Sequence, residues 1–514
     1  MSLIPKPQKV TLGDGHFELA SLENVATKID KSLPVDGYSI DVTSKGVHVG
    51  GGSDTGLFYA RQTLRQLLPP SSLRQAGLGA QGPWRIQIQH ISDAPSSGLR
   101  WRGCMLDVAR HFMPVPDLLR FIELLAFHKL NVLHLHLTED QGWRIEMPGW
   151  PKLTSVGGWR SRSMQGATGH DLYDSRPHGG FYTADDLREV VAFASERHIT
   201  IVPEVNMPGH MQAAIAAYPE LGNTDVKGRD EKIPVRDAWG VSKHVLNVSD
   251  KTLAFCREVL DFVCDIFPSE NVCIGGDECP YDEWEASPAA QAKMKELGLT
   301  EEVKLQAWFT GQMAGHLASR GRHAFAWDEV MAGYTGSVDA FTVAAWRGPK
   351  PTLVAAQRGF KTVTCPDIHA YLDYRQSEDP GEPTPMGTLL SLEHIYGWKP
   401  RPKELKPEEA ENIIGAQVNV WTEHMETARR VEYMVFPRLC AFAEVAWGTV
   451  GEKPSFDDFR KRLEDGHIAR LQALGVNYRP QSGPRPWDSR PDAPGKTHTM
   501  AERLAWRYEA TSEL

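Results

Sequence analysis

Asp277 and Glu278 stand side by side at the end of the run Asn271-Val-Cys-Ile-Gly-Gly-Asp-Glu278. Two neighbouring carboxyl groups resist joint ionisation, so one of them is expected to hold its proton near neutral pH, as a general acid must. The apolar run before them reads as a buried strand, and the two glycines allow a sharp turn and a close approach. On the dipeptide alone, a solvated turn is an equal reading. The elements that carry the pair, and the residues brought to the same place, have to decide.

Eight candidate strands follow one another from about Gly98: Arg102 to Val108, Asn131 to Leu137, Thr200 to Asn206, Val272 to Asp277, Ala324 to Asp328, Phe341 to Trp346, Thr362 to Pro366 and Ala416 to Trp421. Helical patterns separate most of them, over Pro116 to Phe127, Thr183 to Arg197, Lys251 to Ile266 and Glu301 to Arg320. This alternation predicts an α/β fold, a (β/α)8 barrel over residues 98–450. A doubly wound open sheet would carry a Gly-rich phosphate turn after an early strand, and none is visible. Residues 1–97 read as a small N-terminal α/β domain. Its strands are Tyr38 to Val42, Gly46 to Val49 and Trp84 to His90, with a helix over Gly56 to Leu68 stopped by Pro69-Pro70. Ser71 to Gly82 reads as a loop. Residues 451–514 read as a helix, Ser455 to Leu474, and an irregular tail over Pro480 to Lys496, packed on the barrel.

In such a barrel the ligand sits at the carboxyl ends of the strands. Gathered there are Glu139, Asp140, Glu204, Asn206, His210, Asp277, Glu278, Trp327, Asp328, Glu329, Trp346, Arg347, Tyr371, Asp373, Trp421 and Glu423. Many acids serve proton transfer and hydroxyl recognition, and flat tryptophan faces suit the C–H face of a sugar ring. Together they point to a pocket for one pyranose. Taken singly, each tryptophan reads as core, and Asp328 or Glu329 as a charge at the next helix start. His134 and His136 read as hydrogen-bonded core histidines, with metal ligation beside Glu139 or Asp140 as the other reading. His210, after Pro-Gly, could orient a carboxylate or serve only the loop. The carboxylate set explains the site with no metal or cofactor.

Bulk properties are ordinary for a soluble globular protein. In 514 residues, 41% are hydrophobic, 24% are charged and the net charge is −10. That balance argues against a nucleic-acid partner and an anionic membrane. Seven cysteines without metal spacing read as reduced core thiols, which favours the cytoplasm. No signal peptide and no apolar run of about 18 residues is visible. A homodimer is an assembly the sequence allows.

Seven strings, in order, resemble glycoside hydrolase family 20, the β-N-acetylhexosaminidases. They are Arg102-Gly-Cys-Met-Leu-Asp-Val-Ala-Arg-His-Phe112, His134-Leu-His-Leu-Thr-Glu-Asp-Gln-Gly-Trp-Arg144, Pro203-Glu-Val-Asn-Met-Pro-Gly-His210, Gly275-Gly-Asp-Glu278, Trp327-Asp-Glu329, Tyr371-Leu-Asp373 and Trp421-Thr-Glu423. The resemblance implies an exo-acting retaining hydrolase of terminal β-linked GlcNAc, with GalNAc as a second sugar, on an oligosaccharide or glycoconjugate. The substrate's own acetamido oxygen attacks, forming an oxazolinium ion. It further implies Glu278 as acid/base, Asp277 as support for the acetamido N–H, and Tyr371 as donor to the acetamido oxygen. Trp327, Trp346 and Trp421 become pocket walls. Arg102, Asp373 and Glu423 become grips on hydroxyls, and Asp140, Glu139 and His210 become supports of Asp277. Two departures stand out: Asn206 where many relatives carry aspartate, and Glu139-Asp140 where they carry two aspartates. A lacto-N-biosidase-like or chitobiose-specific relative, a non-catalytic sugar-binding barrel and a metal-dependent hydrolase are the competing readings.

Overall fold

The computed structural model of the protein describes residues 2–76, 81–230, 232–449 and 453–514. Residues 77–80 of the loop expected at Ser71 to Gly82, and the expected boundary at 450–451, lie outside them.

The first unit is a five-stranded sheet. Its strands are β1 (Lys9–Leu19), β2 (Ala26–Ile29), β3 (Tyr38–Thr43), β4 (Gly46–Gly51) and β5 (Trp84–Asp93), in the order β1-β5-β3-β4-β2. Tyr38, Ile40 and Val42 alternate inward from β3 and pack with Tyr59, Ala60 and Leu64 of α1 (Asp54–Leu67). The Ser53 hydroxyl caps α1 by accepting from the Gly56 amide. β1 and β2 were not legible in the sequence. β2 is exposed along its whole length and β1 buries only Leu19, so neither shows the alternation of a half-buried strand.

The second unit is a closed barrel of β6 (Trp101–Asp107), β7 (Val132–His136), β8 (Thr200–Glu204), β9 (Asn271–Cys273), β10 (His323–Trp327), β11 (Phe341–Ala345), β12 (Lys361–Thr364) and β13 (Ile413–Val420). All pairs are parallel, neighbours follow chain order, and β13 returns to β6 with Gly415 opposite Trp101. Seven residues of β6 in a row are buried, as expected of strands covered on both faces. Among the covering helices are α2 (Val115–Phe127), α3 (Ala184–Ser195), α4 (Asp250–Ile266), α5 (Glu302–Ser319), α6 (Lys350–Gln357), α7 (Ala428–Val435) and α8 (Arg438–Trp447). α3 opens on a capping box between Thr183 and Asp186, the boundary the sequence suggested.

Past the barrel, α9 (Phe456–Arg462) runs through a π turn at Leu463–His467 into a helix at Ile468–Ala473. The tail is irregular over most of its course, but it pairs Lys496–Thr497 with Met386–Gly387 and ends in α10 (Met500–Ala510), an element the sequence reading did not find. α10 opens on a capping box of Thr499 and Glu502.

The units are knitted by a buried carboxylate. Asp93, at the end of β5, lies 3.1 Å from the Lys129 ammonium and accepts from the Tyr38 hydroxyl at 2.5 Å and the Trp447 indole at 3.1 Å.

Candidate active site

The strand-to-loop turn after β9 builds the acid pair. Gly275 (φ +68°) and Gly276 (φ +90°) turn the chain in left-handed conformations, and Glu278 follows at φ +47°. A Cβ on Gly275 would lie 1.9 Å from Asn206 Oδ1, so only glycine fits. A glutamate held at positive φ is strained by about 1–3 kcal/mol, which the surrounding structure must offset. The turn sends the two acids into different surroundings: Asp277 is buried, while the Glu278 side chain is 40% exposed.

Asp277 is held by two groups. Asn206 Nδ2 donates to its Oδ1 at 2.6 Å, and Asn206 Oδ1 accepts from the Gly276 amide at 3.1 Å, which leaves no choice in the orientation of the amide. His210 Nε2 stands 3.7 Å from Asp277 Oδ2 and 3.7 Å from Glu278 Oε2. Both carboxyl groups therefore face the same imidazole and flank one side of the cavity. Burial pushes Asp277 up to about 6; Glu204 and Glu278 push the same way, and His210 and Asn206 oppose them. The upward shift expected for one of the pair thus lands on the buried aspartate.

Behind it runs a buried chain of acids and imidazoles. His210 Nδ1 lies 2.6 Å from Glu139 Oε1 and 3.3 Å from Asp140 Oδ2. Glu139 Oε2 meets His136 Nε2 at 3.1 Å, and Glu204 Oε2 lies 2.7 Å from His136 Nδ1 and 2.8 Å from His134 Nε2. Asp140 also accepts from the amides of Gln212 (3.0 Å) and Ser242 (3.2 Å). Burial disfavours charge on His210, but Glu139 and Asp277 outweigh it and hold its titration well above the usual histidine range. His134, Glu204 and Cys273 form one of the groups whose donor atoms come within 4.8 Å of one another, as metal ligands would; Glu139, Asp140 and His210 form another. In both, the carboxylates already face imidazoles or amides.

In front of the pair is a cavity of about 400 Å³, lined by Arg110, Trp239, Trp346, Tyr371, Asp373, Trp421 and Glu423 among others. The Trp346 and Tyr371 rings stack at 5.9 Å and 15°. Glu329, pushed up to about 8 by burial with Arg347 opposing, accepts from the Trp346 indole at 2.9 Å. Asp328 accepts from the amides of Trp346 (2.7 Å) and Arg347 (3.1 Å) and from Arg347 Nε (2.6 Å), so it anchors the end of β11. Trp327 is 1% exposed; it packs 5.9 Å from Trp421 and donates its indole N–H to Glu204 at 2.8 Å. Burial also raises Asp373 well above the usual carboxylate range, reinforced by Glu423, and Asp373 Oδ1 is buried with no hydrogen-bond partner among the described residues. A sugar hydroxyl would satisfy that oxygen.

Arg102 is a correction. It was expected to grip the sugar, but it is the second residue of β6, at the opposite end of the barrel from the acids. Its guanidinium donates to Tyr59 Oη (2.8 Å), the Lys129 carbonyl (3.2 Å) and the Leu99 carbonyl (3.3 Å), and lies 3.7 Å from Asp36. The arginine of this string that reaches the cavity is Arg110, three residues past the end of β6. It bonds Gln141 (3.1 Å) and Asp107 (3.4 Å), lies 3.3 Å from Glu139, and sits 5.0 Å from the Trp421 ring centre. Both arginines belong to one string, and the rule that ligands sit at the carboxyl ends of the strands would have chosen Arg110.

Further segments at the cavity escaped the sequence, among them two that carry tryptophans. Trp239, Gly240 and Val241 come from the long loop after β8, and Lys496, His498, Arg503, Trp506 and Arg507 from the tail. Arg503 Nε (2.6 Å), Arg507 Nε (3.0 Å) and the Tyr374 hydroxyl (2.8 Å) all converge on Asp367 Oδ2, and the Arg507 guanidinium lies 4.2 Å from the Trp346 ring centre. Only the capping pattern at Thr499 hinted at this helix.

Comparison with known proteins gives the family and agrees with the fold. The family model of the glycosyl hydrolase family 20 catalytic domain matches residues 99–450, and that of the family's domain 2 matches residues 21–94. A β-hexosaminidase of Porphyromonas gingivalis is 37% identical over 88% of this chain, which spans 56% of that protein's length. One of Akkermansia muciniphila is 33% identical over 94% of this chain and 93% of its own. Among solved structures, an exo β-N-acetylglucosaminidase of Vibrio harveyi in complex with N-acetylglucosamine superposes with a TM-score of 0.80 at 32% identity, covering 95% of this chain and 78% of that one.

Proposed function

Because the chain belongs to glycosyl hydrolase family 20, we propose that it is an exo-acting β-N-acetylhexosaminidase that releases terminal GlcNAc, and GalNAc as a second sugar, with retention. The observation that carries this reading is the shared approach of Asp277 and Glu278 to His210. A two-carboxylate retaining enzyme needs its nucleophile across the sugar from its acid. Asp277 and Glu278 share one side, so neither stands across the sugar from the other, which supports attack by the substrate's own amide.

The 2-acetamido oxygen attacks C1 as Glu278 gives its proton to the leaving oxygen. The C1–O bond breaks and an oxazolinium ion forms, an intramolecular step favoured by high effective molarity. Asp277 accepts from the acetamido N–H and stabilises the positive charge developing there. Tyr371 donates to the acetamido oxygen between Trp346 and Trp421. Glu278 then takes a proton from water, which attacks C1 and opens the ring. Arg110, Asp373 and Glu423 bind the sugar hydroxyls through charge-assisted hydrogen bonds. Seven free thiols, most of them buried, support a reducing compartment as the place of action; no described helix is long and apolar enough to cross a membrane.

The test is Glu278→Gln against wild type, with GlcNAc-thiazoline, a stable mimic of the ion, as a binding probe. Turnover of an unactivated glycoside falls by about 10²–10⁴-fold in the variant, while the thiazoline still binds. Equal rates on 2-acetamido and 2-hydroxy glycosides would remove the substrate-assisted step.

A further inference from the structure

Beyond the cavity that takes the terminal sugar lies a second one of about 660 Å³. Glu278, Trp346, Trp506 and Arg507 line both. On the reading proposed above, Glu278 must reach the glycosidic oxygen, and the leaving group departs on the acid's side. Glu278 also lines the second cavity, which therefore borders the side on which the leaving group departs.

Its wall is chemically specific. Trp506 is 49% exposed although it stands at the junction of two cavities. The Arg503 and Arg507 guanidinium groups lie 4.6 and 4.7 Å from its ring centre. Both donate to the same oxygen of Asp367, so they stand together beside the half-exposed indole. Deeper in, Arg347 lines the cavity, is 8% exposed, and keeps Nη2 without a hydrogen-bond partner among the described residues. A buried guanidinium donor without an acceptor is costly, and a hydroxyl would satisfy it. Lys304 and Tyr281 add polar groups on the same wall.

The geometry points to α10 as the builder of a leaving-group subsite for a second sugar ring, with Trp506 as its stacking platform and Arg347 as a hydroxyl donor. A flat, half-exposed indole beside hydrogen-bonding groups suits a pyranose, which has an apolar C–H face and a polar rim. The leaving group is therefore a saccharide, and the tail that carries Trp506 sets the preference for it.

Trp506→Ala and Trp506→Phe, in the full chain, test this with N,N'-diacetylchitobiose as substrate and GlcNAc-thiazoline, which fills only the first cavity, as reference ligand. The alanine variant loses about tenfold in kcat/KM on the disaccharide, mostly through KM, the size expected for one lost stacking contact. Its thiazoline Ki rises far less than the disaccharide KM, because Trp506 only borders the first cavity, and phenylalanine recovers most of the loss. Unchanged disaccharide kinetics with intact thiazoline binding overturns the platform alone. A Ki that rises as far as KM overturns it too, because Trp506 would then act only by bracing Trp346. Wild-type protein that fails to bind the thiazoline removes the glycosidase reading, and the subsite with it.

Discussion

At the scale of single residues, the division of labour between Asp277 and Glu278 follows from where their side chains go. One turn buries the first acid and leaves the second facing the cavity. Asp277 must be ionised to support a developing positive charge, so kcat/KM should fall as pH drops through about 6. In Asp277→Asn that acidic limb disappears and turnover drops about 10²–10³-fold. The stability sign is the reverse. A buried carboxyl with a raised folded pKa binds its proton more tightly when folded, so it costs stability as pH rises from about 3.9 through that range. Asp277→Asn should therefore melt higher than wild type at pH 7.5, with the gain shrinking toward pH 4. Asn206 donates to Asp277. Asn206→Asp puts a like charge against Asp277 and should move the acidic limb upward by about one pH unit, read from pH–rate profiles.

At the scale of elements, strand ends and the tail helix cooperate. Asp328 and Glu329 leave β10 but fix the end of β11 and the Trp346 ring, so the wall of the cavity is set by its neighbour. α10 adds the opposite constraint by carrying Arg503 and Arg507 to the fully buried Asp367. Removing both guanidinium groups leaves Asp367 with the Tyr374 hydroxyl as its remaining side-chain partner among the described residues. An uncompensated buried charge of this kind costs about 3–5 kcal/mol, so Arg503→Ala with Arg507→Ala should lower the urea midpoint by the equivalent amount. KM for an aryl N-acetylglucosaminide should rise with it, since Trp346 loses the cation that covers it.

At the scale of the molecule, the two ends of the barrel serve different purposes. Acids and aromatics gather at the carboxyl ends of the strands, while Arg102 and Lys129 fasten the N-terminal sheet at the other end. Arg102→Met should cost about 3 kcal/mol through lost charge-assisted hydrogen bonds and lower the melting temperature. The thiazoline Ki should stay within twofold, because no atom of Arg102 faces the cavity. An Arg102 variant with normal stability and weakened thiazoline binding would return that residue to the sugar site.

Periodicity and short strings by themselves determined a great deal. Strand and helix positions around the barrel, the acid pair, Tyr371 and the tryptophans are written in local order, because apolar runs and strand-end chemistry repeat at fixed spacing. Tertiary structure alone decided which arginine meets the sugar, which acid is buried and what closes the cavity. Those outcomes rest on contacts between residues far apart in the chain, such as Asp367 with Arg503, Asn206 with Asp277 and Trp346 with Arg507. Burial and charge pairing are properties of a place in space, and a place in space exists only after the chain has closed on itself.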